Sequence, residues 1–98
     1  MLVNSIPLAI KTFRDDSTVG RPFIAHNADF KVSASAKSAT LAKKKLIDII
    51  GEILAQEAEE NNLEQCLSDL GFNKEASGRY IAPQLNIIDL PLKVKKSN

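Results

Sequence analysis

The side chains able to do chemistry near neutral pH are one histidine, His26, one cysteine, Cys66, an aspartate pair, Asp15-Asp16, and a run of three cations, Lys43-Lys44-Lys45. His26 has the right intrinsic basicity for a general base, but no partner for it is evident in the sequence, and it reads as a strand residue beside a turn. Asp15 and Asp16 would hold a divalent ion only if Asp29 or Asp48 converged on them, as a ribonuclease-like centre requires. A pair of aspartates in a polar loop is otherwise ordinary turn chemistry. Cys66 falls on an apolar stripe, where a thiol serves as a small hydrophobe. A single cysteine forms no intrachain disulfide and no zinc site built on cysteine pairs. The glycines at 20, 51, 71 and 78 are isolated, so no glycine-rich phosphate loop is present. These residues lead us to expect a non-enzymatic chain without a metal or cofactor.

Lys43, Lys44 and Lys45 are the candidate contact residues. They occupy the first turns of a predicted helix whose last turns hold Glu57, Glu59 and Glu60, the reverse of what the helix dipole favours, at a cost of ~0.3–1 kcal/mol per misplaced exposed charge. One reading is a basic patch for phosphate or an acidic surface, with the acidic end open to a basic partner. The other is a solvated face with spaced pairs such as Lys44-Asp48. The aromatic residues Phe13, Phe23, Phe30, Phe72 and Tyr80 are dispersed, which disfavours a stacking surface for single-stranded RNA, although Arg79 beside Tyr80 leaves that reading open.

The elements that position these residues follow from periodicity and punctuation. Loose alternation predicts a strand from about Ile6 to Phe13, with Pro7 at its entry. A polar loop, Arg14 to Gly20, leads to Pro22 and a second strand with Phe23, Ala25 and Asn27 on one face and Ile24 and His26 on the other. A turn at Asn27-Ala28-Asp29 precedes Phe30, Val32 and Ala34. Ser38 is placed to cap a helix of about five turns. In that helix Ala42, Leu46, Ile49, Ile50, Ile53 and Leu54 form the apolar face, and Gly51 suggests a packing contact. Asn61-Asn62 caps a short helix with Leu63, Cys66, Leu67 and Leu70 inward, ended by Gly71. Arg79-Tyr80-Ile81 and Leu85 to Ile88 read as extended, Leu92 to Lys95 as a possible edge strand, and the final Lys-Lys-Ser-Asn as frayed.

The expected fold is therefore α+β. A small antiparallel three-stranded meander packs on one long helix, followed by a short helix and an extended C-terminal segment, in one domain of 98 residues. A hydrophobic fraction of 44% with 26% charge is that of a folded globular chain, and 13 basic against 12 acidic residues give no global pull toward nucleic acid or an anionic membrane. No apolar run approaches the ~20 residues that span a bilayer, and Met1 to Pro7 lacks a secretory leader. We expect a cytoplasmic protein. So small a sheet leaves edges open, which favours a homo-oligomer, a dimer first.

Phe23-Ile24-Ala25 followed by Asp29-Phe30-Lys31-Val32 resembles, in order and spacing, the second and third strands of the HicB antitoxin family. Those strands commonly read Phe-Val-Ala, two variable residues, then Pro-Glu-Leu-Asp-Val before a loop and a helix. Ala28 stands where the family favours Pro, Ala36 where it favours Gly and Ser38 where it favours Thr, and Thr40-Leu41-Ala42 replaces Glu-Glu-Ala. Leu63 to Leu67, Leu70-Gly71-Phe72 and Arg79 to Pro83 look like the tail of short members. The resemblance implies a degenerate ribonuclease-H-like sheet without catalytic carboxylates that sequesters a small basic RNA-cleaving toxin of the HicA type. Many members add a DNA-reading unit, for which the seven residues after Pro91 leave little room. The alternatives are a nucleic-acid-binding module using Lys43 to Lys45 with Lys93, Lys95 and Lys96, and a self-associating domain.

Overall fold

The computed structural model describes residues 5–83 and 85–93. Its architecture is α+β. Strands β1 (Lys11–Arg14), β2 (Phe23–Asn27) and β3 (Val32–Ala36) form an antiparallel sheet in that order, and helix α1 (Ala39–Glu59) lies across one face. Helix α2 (Leu63–Asp69) and a small hairpin, β4 (Asn73–Lys74) with β5 (Tyr80–Ile81), complete the regular structure.

The register explains how the helix sits. Thr12, Ala25 and Ala34 lie side by side across the sheet, as do Arg14, Phe23 and Ala36, so these residues share one face. The alanines keep that face low. Ala25 of β2 and Ala42 of α1 are both fully buried, with Leu46 and Ile50 beside them. Burying a leucine or isoleucine side chain contributes about 1.5–3 kcal/mol, so this stripe is the main tie between helix and sheet. Ile49, predicted on the same face, stands 39% exposed at its margin.

Buried Asn27 fixes both the turn and the chain before the sheet. Its Oδ1 accepts from the Phe30 amide at 2.7 Å, and its Nδ2 donates to the Ala9 carbonyl at 2.9 Å. Lys31 closes the turn in the left-handed region, at φ 56°. The contact with Ala9 also explains why β1 begins at Lys11 and not near Ile6. A side chain takes the Ala9 carbonyl, Pro7 has no amide to give a ladder, and Ile6, Leu8 and Ile10 turn inward as packing residues without a strand.

Ser38 caps α1 as expected. Its backbone is extended and its Oγ accepts from the Leu41 amide at 3.1 Å. The other end stops in a Schellman arrangement, in which the Asn62 amide donates to the Glu57 carbonyl at 2.9 Å, the Asn61 amide donates to that of Ala58 at 3.1 Å, and Asn61 has φ 55°. Asn61 therefore ends α1. Asn62 precedes α2, but its side chain makes no cap and donates instead to the Glu57 carboxylate at 2.7 Å. Gly51 is exposed with open space where a Cβ would stand, so the packing contact predicted for it is absent and its cost to the helix goes uncompensated.

A second Schellman stop ends α2. The Phe72 amide donates to the Leu67 carbonyl at 2.9 Å, the Gly71 amide to that of Ser68 at 3.0 Å, and Gly71 takes φ 94°. Leu67 and Phe72, thus brought together, form a second core with Tyr80, into which Ile6, Leu8, Phe30 and Leu54 pack. Phe30 and Phe72 meet at 6.1 Å between ring centroids. Tyr80-Ile81 is a strand, as its sequence suggests, but it pairs with the unpredicted β4 in a sheet of its own.

Residues 85–93 carry neither helix nor strand. The edge strand considered for Leu92 to Lys95 is therefore absent at Leu92 and Lys93, and its remainder, with the terminal Lys95 to Asn98, lies outside the described residues. Leu85, Ile87, Ile88, Leu90 and Leu92 are 73–89% exposed. No helix among the described residues is long and apolar enough to cross a membrane.

Candidate interaction surfaces

The lysine run divides. One residue advances about 100° around a helix, so Lys44 and Lys45 fall on the β3 side of α1 and line a groove that Lys43 does not enter. This groove, about 670 Å³ in volume, lies between the first turns of α1, the end of β3 and the β1–β2 loop. Val19 and Leu41 supply apolar surface at its wall, one wholly and the other about half exposed. Lys45 Nζ reaches over β3 and donates to the Ser35 carbonyl at 3.2 Å. Asp48 lines the same groove, but the described residues hold only two ion pairs, Arg21–Asp16 and Lys74–Glu64, so Lys44 and Asp48 do not form the bridge their spacing allowed.

The opposite end of α1 is acidic. Glu59 and Glu60 are exposed, no basic residue lies in the last turn, and no acidic residue lies in the first. The helix thus presents both of its ends with charges its dipole opposes. Beyond it, Glu64 of α2 accepts from Lys74 at 2.8 Å; that hydrogen bond and the accompanying charge hold the Glu64 carboxyl below its ordinary range and the Lys74 ammonium above its own.

The remaining chemically capable residues have structural surroundings. His26 Nδ1 and Ser33 Oγ are 2.6 Å apart, a cross-strand pair on the sheet face away from α1. Asp15 accepts from the Ser17 hydroxyl at 2.6 Å and the Thr18 hydroxyl at 2.5 Å; these bonds hold its carboxyl below the ordinary range and shape the loop. Asp16 pairs with Arg21 at 2.8 Å. Among the described residues no three His, Cys, Asp or Glu side chains gather as a metal site would require. Cys66 is half-buried, and its thiol is pushed up first by that burial and then by Glu57 and Asp69, which disfavours the reactive thiolate.

One feature escaped the sequence reading. The groove joins residues 19, 36, 41 and 44, which only the tertiary fold brings together. Its local signs are Val19, an apolar residue in an otherwise polar loop, and Leu41, off the buried stripe. Comparison with known proteins finds no family model, no curated protein and no solved structure that matches the chain.

Proposed function

We propose that this chain is a non-enzymatic, antitoxin-like binding domain that captures a small, basic, RNA-cleaving toxin and keeps RNA from its active surface. The supporting observation is the exposed acidic end of α1, where Glu59 and Glu60 stand without a cation in the last turn. A basic partner seated there supplies the positive charge that the end of the helix dipole favours. Complementary charge of this kind speeds encounter and sets orientation, while apolar contacts nearby hold the complex. Capture by occlusion needs no bond-making by this chain. The resemblance of residues 23–32 to HicB strands gives the partner its expected character, a compact cationic ribonuclease in the cytoplasm.

Affinity purification of the tagged chain from its native cell, with and without nuclease, tests this reading. A basic polypeptide retained in stoichiometric amount after nuclease treatment is the expected result. The double variant Glu59→Gln/Glu60→Gln then slows association with that polypeptide several-fold at low salt, and the difference shrinks as salt rises. Recovery of nuclease-sensitive material alone would replace the proposal with nucleic-acid binding through Lys44 and Lys45. Recovery of the chain alone would leave a self-associating domain.

A further inference from the structure

Two surfaces on this chain are open to a further polypeptide. The first is the outer edge of β3, which pairs only with β2 among the described residues, together with the groove beside it. An edge strand offers a row of backbone donors and acceptors to any further strand. The second is the arm, residues 85–93, with five large apolar side chains in solvent. Contiguous apolar surface of this kind marks a site that another polypeptide covers.

We propose that the arm of one copy adds as a fourth strand to the β3 edge of a second copy, with its apolar side chains entering the Val19–Leu41 groove, and that reciprocal exchange makes a twofold dimer. Pro91 fixes the orientation. It has no amide to donate, so in the added strand it occupies a position whose backbone faces outward, with Ile87 and Asp89, while the backbones of Ile88 and Leu90 face β3. Side chains alternate across the sheet, so Ile88, Leu90 and Leu92 then share one face. That triplet meets the helix-side wall of the groove, where Leu41 and the stems of Lys44 and Lys45 lie. On the other face Asp89 comes near Lys37, which continues the Ser33, Ser35 side of β3.

Reach and direction favour a second copy over self-closure. Pro83 packs at Gly71 beyond the end of α2, so the arm starts in the half of the molecule containing the second core, whereas the groove lies at the start of α1. The arm's large apolar side chains are 73–89% exposed, so they are not packed on the body of their own chain. Exchange is a low-cost route to a symmetric dimer, because the contact it uses is one surface repeated twice.

The test is sedimentation of the full-length chain over a range of concentrations, with two single variants and their mixture. Leu90→Asp removes the arm's contact and Leu41→Asp the groove's; both positions are exposed in the single chain, so circular dichroism of either variant should match the parent. Each variant weakens self-association by roughly 10²- to 10⁴-fold, because the twofold dimer repeats the contact and loses a buried leucine at both. An equimolar mixture recovers part of the dimer, because one arm and one groove in the mixed pair remain intact. A parent chain that stays monomeric at every concentration, or dimers indifferent to both variants, or a mixture no stronger than either variant alone, would each overturn the proposal.

Discussion

Strand β3 and the C-terminal arm carry the same sequence pattern and meet opposite fates. Val32, Ala34 and Ala36 alternate with polar residues and are packed against the core that α1 covers. Ile88, Leu90 and Leu92 alternate in the same way and stand in water, each at least 73% exposed. Period-two alternation declares which side chains share a face; it does not declare what covers that face. For β3 the cover arrives within a few residues, as a capped helix. For the arm, no described element of this chain supplies that cover.

The contrast is broken most severely at the helix. Leu46→Ala opens a cavity under the sheet and should cost about 2–5 kcal/mol in denaturant unfolding, whereas Leu90→Ala in dilute, monomeric protein should change stability by less than about 0.5 kcal/mol. Equal losses at the two positions would show that the arm is packed in the single chain. A smaller and opposite effect is expected at Gly51, where the added methyl meets open space. Gly51→Ala should stabilise the helix half by up to about 1 kcal/mol, read as a higher midpoint at unchanged denaturant slope. The smallest effect belongs to the exposed Glu64–Lys74 pair that ties α2 to the hairpin. Glu64 is lowered on folding, so its contribution is present above 4.5 and fades as pH falls through its lowered value; Lys74 is raised, so its contribution is full below 10.5 and fades as pH climbs through its raised value. The stability difference between parent and Lys74→Ala should be a plateau between those limits that closes at both ends. A difference independent of pH would assign it to packing of the lysine stem on Tyr80, whose ring centroid lies 6.0 Å from Nζ.

What was legible in the sequence is what a few neighbouring residues decide. Ser38 announces the start of α1 because a hydroxyl and an amide three residues on satisfy each other, and Gly71 announces the end of α2 because few other residues take φ 94° without strain. The meander was legible from its alternation. The shortened β1 was not, because its start depends on a hydrogen bond between residues 18 apart, Asn27 and Ala9. Asn61 was misread by one element: asparagine tolerates the left-handed region that ends a helix and also suits the start of one, and only the bonds to Ala58 and Glu57 separate the two roles. Lys43 to Lys45 were legible as a charge run, but their division between two sides of α1 matters only once β3 is in place to form the groove.

The second core has a consequence for the order in which the protein matures on the ribosome. Ile6 and Leu8 pack with Leu67, Phe72 and Tyr80, so they wait for partners that the ribosome adds much later. Residues 6 and 80 are 74 positions apart, and at ~5–20 residues per second the delay is roughly 4–15 s. The meander and α1 can settle during that interval, while Ile6 lacks the second-core partners that cover it. Nascent chains halted before Tyr80 emerges should therefore be cleaved by protease near Ile6, and those halted after it should not.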